Sequence, residues 1–181
     1  MGLDVVAYGD MVEVEKEAWA DIPESELFEV AYNRDWCIVY EGFGFPGSLY
    51  PIKEGVPYTA EDTFDFRAGS YGGYANFRDW LAEMAGYDSA EAVWEACSTG
   101  PFYGPFVELI NFSDCEGVLG TAIAAKLFKD FQDHATQAED WAYATLAAGD
   151  DKENADFFTE KYEEWRKAFE IASNYGCVVF C

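Results

Sequence analysis

Thr63-Phe64-Asp65-Phe66-Arg67-Ala68-Gly69-Ser70-Tyr71-Gly72-Gly73-Tyr74-Ala75-Asn76-Phe77-Arg78 holds both kinds of regular structure that decide the fold. Thr63 to Arg67 alternates polar and apolar side chains, the period of a half-buried strand. Gly69 to Tyr74 breaks the alternation. From Ala75 to about Ala85, Phe77, Trp80, Leu81 and Met84 recur at the three-to-four spacing of one helix face. Gly86 is placed to end that helix. A strand that hands over to a helix through a glycine-rich turn predicts mixed α and β structure.

Toward the N-terminus, Leu3 to Tyr8 reads as a strand and Met11 to Glu15 as a half-buried edge strand. Ser25 to Ala31 suits a short helix with its acids outward, and Trp36 to Tyr40 a strand stopped by Gly42. Gly42 to Pro57, with four glycines and three prolines, is a loop expected to pack its own aromatics Phe43, Phe45, Tyr50 and Tyr58. Toward the C-terminus, Asp88 to Cys97 reads as a helix with Asp88 in the cap and Glu91 completing a capping box. Ser98 to Pro105 is a loop, Phe106 to Phe112 suits strand or helix equally, and Ser113 to Gly120 is a turn-rich connector. Thr121 opens a helix expected to reach Ala147, with Ile123, Leu127, Phe131 and Trp141 inward. A last helix, capped by Asn154, carries Phe158, Tyr162, Trp165, Phe169 and Ala172 on one face. Cys177 to Cys181 is a final strand. The expected architecture is a single α+β domain over residues 1–181, a small central antiparallel or mixed sheet with about four helices packed on it.

The chain has 181 residues, enough for a core without metal or disulfide staples. Half of them are apolar, which excludes a disordered acidic chain despite a net charge of −24. That charge repels phosphate backbones, so direct nucleic-acid binding is not expected. No signal peptide and no apolar run of membrane length is legible, so a cytoplasmic location is expected. Five scattered cysteines without a C-x-x-C pair read as free thiols rather than a disulfide or zinc framework. No cofactor and no metal is expected.

The acids are unevenly placed. Residues 1–66 carry 15 acids and 3 bases, residues 67–132 carry 9 and 4, and residues 133–181 carry 11 and 4. Arg67 to Arg78, Ala96 to Val107 and Gly117 to Lys129 hold no carboxylate at all. Such gaps fit either burial or a pocket for a polar or anionic ligand. In the first of them, successive amides of a glycine-rich turn can form an anion-binding nest. A helix N-terminus would add donors there, and Arg67 or Arg78 a bidentate clamp. Tyr71 and Tyr74 could stack on a ring. The glycine spacing matches neither a P-loop nor a dinucleotide fingerprint. A second motif, Asn111-Phe112-Ser113-Asp114-Cys115-Glu116-Gly117, reads as a capped turn or as the polar wall of a site. Its catalytic versions would use Cys115 with His134, the sole histidine, or Asp114 and Glu116 as acid and base. A third feature is the run Glu13, Glu15, Glu17, Asp21, Glu24, Glu26 and Glu29, a solvated face or a mimic of nucleic-acid phosphates.

Met1-Gly2-Leu3-Asp4, the Gly69-Ser70-Tyr71-Gly72-Gly73-Tyr74 turn followed by Arg78 and Leu81-Ala82, and Phe112-Ser113-Asp114-Cys115-Glu116-Gly117 resemble a largely uncharacterised family of small phage and prophage proteins. The resemblance spans most of the chain, implies a phage setting and a host-cell cytoplasm, and carries no established active site. By analogy with unrelated phage factors it suggests an anti-defence role. The expected function is therefore a non-catalytic small-ligand-binding protein, a sponge for a nucleotide-type immune signal. Arg67, Ser70, Tyr71, Tyr74, Arg78, Ser113 and Asp114 would form its site. The alternatives are an acidic inhibitor of a basic defence protein and a hydrolase of a nucleotide signal. The expected partners are a small anionic or nucleotide-like ligand, a basic host protein in the second reading, and a second copy of the chain; a membrane is not among them.

Overall fold

Two long strands form the frame of the computed structural model, which describes residues 2–40, 47–113, 115–147 and 152–181. Strand β1 spans Gly2–Glu13, and it pairs antiparallel with β3, Pro57–Ser70, in a register that sets Asp4 against Arg67 and Ala7 against Phe64. The two strands expected at Leu3–Tyr8 and Met11–Glu15 are thus one. A kink at Asp10, whose φ of 48° is a conformation that Asp tolerates better than most residues, interrupts its regularity. Strand β3 starts six residues before the alternation at Thr63, at a proline, which lacks a ladder donor and is accepted at a strand's first position. Strand β2, Cys37–Ile38, adds to β3 as an edge, shorter than the expected Trp36–Tyr40. Strand β5, Cys177–Phe180, pairs with β1 on its other side, and β4, Gly117–Gly120, completes the order β2-β3-β1-β5-β4. Every pairing is antiparallel. Strand β4 falls where a turn-rich connector was expected. Its four residues are all buried, and two are glycines, so the sequence offers only Val118 and Leu119 as a strand signal.

Seven α-helices are described: α1 (Glu24–Asn33), α2 (Tyr71–Met84), α3 (Ala90–Thr99), α4 (Val107–Ile110), α5 (Thr121–Asp133), α6 (Ala135–Trp141) and α7 (Lys152–Ala172). A 3₁₀ turn covers Lys16–Ala18 and a π-helical turn covers Ala142–Leu146. The fold is α+β, as expected, with more helices than expected, in part because one periodic run is broken and an ambiguous segment forms a short helix. The helix predicted over Thr121–Ala147 stops at Asp133. His134 leaves the helical region (φ −107°, ψ 7°), and α6 starts after it. The ambiguous Phe106–Phe112 segment is the short helix α4, entered through Phe106 in the left-handed region at φ 59°. That conformation is held by the Asp130 carboxylate, which accepts from the Phe106 amide at 2.8 Å. Helix α3 is capped by Ser89, whose Oγ accepts from the Ala92 amide at 3.1 Å, and not by Asp88.

The principal core lies between the sheet and the helices. Trp165 of α7 is fully buried at its centre, 5.0 Å from the Phe66 ring, 5.4 Å from Phe180 and 5.6 Å from Phe169. The predicted inward face of α7 is buried throughout, from Phe158 to Ala172. Strand alternation puts Val178 and Phe180 in this core and Cys177 on the opposite face. There a second, smaller cluster of Met11, Val39, Leu49, Ile52, Tyr58, Val118 and Cys177 forms under the segment 47–56. Ser48 fastens that segment: its Oγ donates to Val118 O at 2.9 Å and its carbonyl accepts from Gly120 N at 2.6 Å. Gly120 is required there, since a Cβ would lie 2.2 Å from Leu49 O. Of the aromatics expected to pack in this loop, Tyr58 is buried, Tyr50 is exposed, and Phe43 and Phe45 lie outside the described residues.

Candidate functional site

Strand β3 runs into α2 without an intervening turn. Ser70 is the N-cap, its Oγ accepting from Gly73 N at 3.0 Å, so Gly72 and Gly73 belong to the first turn of the helix rather than to a separate nest. The helix therefore starts four residues earlier than its apolar spacing indicates, and Tyr74 moves onto the buried face. Tyr74 is fully buried and Arg78 is 5% exposed. The Arg78 guanidinium lies between two aromatic rings, 4.6 Å from the Tyr74 centroid and 5.2 Å from Trp94. Its Nη1 donates to Phe112 O at 2.8 Å, and Trp94 Nε1 donates to Ile110 O at 2.7 Å. This arginine ties α2 and α3 to the segment that follows α4.

Arg67 is placed differently. Its side chain is exposed on the sheet, 3.6 Å from the Asp4 carboxylate. The register continues this row: Asp4 and Cys181 exchange backbone hydrogen bonds, and Gly117 stands opposite Phe180, so Glu116 follows beside Cys181. Ser70 and Tyr71 are exposed at the end of the same strand. Ser113 is half-buried, and its Oγ accepts from the amides of Cys115 at 3.3 Å and Glu116 at 3.2 Å, a local turn cap. Asp114 lies outside the described residues. The structure brings Arg78 against the start of the Phe112–Gly117 connector and places Arg67, Ser70 and Tyr71 on the exterior. Tyr74 and Arg78 present almost no surface.

The remaining chemical candidates are dispersed. His134 sits in the α5–α6 corner, its Nδ1 2.9 Å from Asp130 O and its ring against Phe106, while Cys115 precedes β4. Burial pushes the Cys37 thiol up to about 11 and raises Cys177 well beyond the ordinary range. Burial, then the Asp4 charge, raises Cys181. Neutral thiols are thereby favoured over nucleophilic thiolates. Among the described residues no group of three or more His, Cys, Asp or Glu could hold a metal ion. The carboxylate-poor stretch 117–129 coincides with the buried strand β4 and with lysines used internally. Lys126 pairs with Glu108 and, at 2.8 Å, with Asp130, and Lys129 pairs with Asp133.

The exposed N-terminal acids are arranged around apolar surface. Glu13, Glu15, Glu17, Asp21, Glu24, Glu26 and Glu29 are all exposed. Among the described residues only Glu13 of these seven is in a salt bridge, to Lys53 at 2.5 Å. Between the 3₁₀ turn, α1 and the turn at Gly55 lies an open groove of about 620 Å³. Trp19, Ala20, Ile22, Leu27 and Tyr40 give it an apolar lining, and Glu24 and Glu54 add carboxylates. Trp19 is fixed by its Nε1, which donates to Val14 O at 3.1 Å, and Phe28 beside the groove stays 56% exposed with its ring 5.7 Å from Tyr40. Sequence reasoning read the acids and missed the groove. Its signal was Trp19, Ile22 and Phe28 set among carboxylates, large apolar residues in a stretch otherwise built for water.

Comparison of the chain with protein-family models, with curated proteins and with solved structures gave no match. Among the described residues no helix is long and apolar enough to cross a membrane.

Proposed function

We propose that the protein is a non-catalytic binding protein whose working surface is the acidic N-terminal region, and that it engages a basic partner protein. The observation that carries this reading is the groove at Trp19, Ile22, Leu27 and Tyr40 with Glu24 and Glu54 in its lining, set in the stretch of chain that carries the exposed acidic run. An apolar floor supplies affinity, and surrounding carboxylates select a cationic partner and speed its approach. In the phage setting implied by the sequence resemblance, the partner would be a basic defence protein and the carboxylates would stand in for phosphates. The nucleotide reading has less support, because Tyr74 and Arg78, its stacking and clamping groups, are core residues.

The test uses the full chain and synthetic peptides in which Lys and Arg alternate with Leu or Phe. Binding is expected to weaken steeply with salt. Glu24→Lys and Ile22→Ser should each weaken it at least about fivefold, the equivalent of about 1 kcal/mol. Glu61→Lys, the same charge change at an exposed position of β3, should leave it nearly unchanged. Equal losses in Glu24→Lys and Glu61→Lys would mean that bulk charge alone attracts the peptides, and the reading fails.

A further inference from the structure

A second groove, of about 640 Å³, lies at the other end of α1, where the helix meets the outer face of the sheet. This volume is within the roughly 300–1,000 Å³ range of small-ligand clefts. Tyr8 of β1 and Thr63 of β3 are direct cross-strand partners and so share a face. Tyr32, Asn33, Asp35 and Trp36 line the groove from the end of α1. Their placement is fixed by the way the helix ends. Asp35 takes the left-handed conformation at φ 54°, and the Trp36 amide donates back to Ala31 O at 2.9 Å. Tyr32 is 85% exposed, so its ring is open to a ligand. Among the described residues neither the Tyr32 hydroxyl nor the Asp35 carboxylate has a hydrogen-bond or ion-pair partner.

Three ligand classes can be weighed against this lining. Anions are disfavoured, because Asp35 lies in the groove and Glu61, Asp62 and Asp65 are exposed on the adjoining strand. An organic cation at Trp36 would meet the like charge of Arg34, whose guanidinium carbon lies 4.9 Å from the ring centroid. What remains matches a neutral polyol. The rings of Tyr8 and Tyr32, with Trp36 beside them in the lining, suit the C–H face of a sugar. Asn33, Asp35 and Thr63 offer the mixture of donors and acceptors that vicinal hydroxyls require. Tyr8, like any phenol, is protonated at neutral pH and adds a hydroxyl donor.

We propose that this aromatic groove between the end of α1 and strands β1 and β3 is a binding site for a neutral carbohydrate. The site is independent of the acidic groove and of any basic partner. The experiment titrates maltotriose, chitotriose and mannotriose at millimolar concentration into the full ¹⁵N-labelled chain. At least one sugar is expected to shift the amides of Tyr32 to Cys37 and Ala60 to Thr63. Tyr32→Ala, a change at an exposed helical position, should weaken that binding about fivefold or more. Tyr103→Ala, a similarly exposed tyrosine outside the groove, should not change it. Absence of shifts with all three sugars overturns the proposal. So does binding that Tyr32→Ala leaves intact. Tetramethylammonium is the contrasting probe: shifts of the same amides with that cation and with none of the sugars would identify a cation cage instead.

Discussion

At the scale of single residues, Arg78 shows how a functional-looking side chain can be structural. Its charge is enclosed, two ring faces cover it, and its Nη1 satisfies Phe112 O at 2.8 Å. Arg78→Ala would remove that hydrogen bond and open a cavity between α2 and α3. Urea unfolding of this variant should show a loss of about 2–4 kcal/mol. Arg78→Lys should recover only part of it, since a point charge cannot both stack and reach. The thiols give a second residue-scale expectation. An unfolded cysteine ionises near ~8.5, while Cys37 is pushed up to about 11 in the fold and Cys177 is raised further, both chiefly by burial. The folded form therefore keeps protons that the unfolded chain releases. The stability held by the neutral thiols is complete below about pH 8.5 and is lost as pH rises toward 11. Urea midpoints measured across that window should fall, and Cys37→Ala should make the fall shallower. With a thiol reagent at pH 8, exposed Cys115 should react first, Cys181 more slowly, half-buried Cys37 and Cys97 more slowly still, and buried Cys177 only on unfolding.

At the scale of elements, the helix starts separate what periodicity reveals from what it does not. Replacing Ser89 by Ala should cost about 1 kcal/mol, because its Oγ serves the Ala92 amide, whereas Asp88→Ala should cost almost nothing. Differential unfolding of these two variants checks the cap directly. The sequence pattern suggested the reverse, since Asp88 and Glu91 have capping-box spacing; only the backbone (Ser89 at φ −172°, ψ 171°) decides which residue is the cap. Long runs were legible: the inward face of α7, much of the core face of α2 and the strand at 63–67 follow from period, and the strands at 3–8 and 177–180 from β-rich, apolar composition. Short or non-periodic elements were not. Strand β4 has four residues, and the break at His134 contains no proline or glycine to announce it. The same limit governed the site. Arg67 to Arg78 drew attention through composition, which cannot tell a carboxylate-free surface from a carboxylate-free core. In α2 the buried members Tyr74 and Arg78 sit one turn apart; the early helix start brings Tyr74 onto the buried face, directly above Arg78. The two grooves beside α1 are shaped by tertiary contacts with β1, β3 and the turn at Gly55, and the local sequence gives only a partial sign of the first, in Trp19, Ile22 and Phe28 among carboxylates.

At the scale of the molecule, the charge of −24 works against folding and for association at once. The described ion pairs use Lys53, Arg67, Lys126, Lys129, Lys161 and Arg166, so the few cations are largely committed while most carboxylates face only solvent and one another. Like charges at this density destabilise the compact state through self-repulsion, and salt relieves it. The melting temperature should therefore rise as sodium chloride is raised from 20 mM to 1 M, where the Debye length shrinks to about 3 Å. Removing charge should act in the same direction. Glu17→Gln, Glu24→Gln and Glu26→Gln should each raise the melting temperature at low salt, with the gain fading at high salt. The same changes at Glu61 and Asp65 on β3 should do likewise, since those side chains are equally exposed. The two sets should part company in binding. If the acidic groove engages a basic partner, the glutamines around α1 weaken binding of the Lys/Arg–Leu/Phe peptides while stabilising the fold, whereas those on β3 stabilise without weakening it. Such opposed signs are the mark of residues retained for function at a cost in stability. Acids around α1 that stabilise on removal and leave peptide binding unchanged would be solvating groups only, and the groove would then have lost its claim to a basic partner.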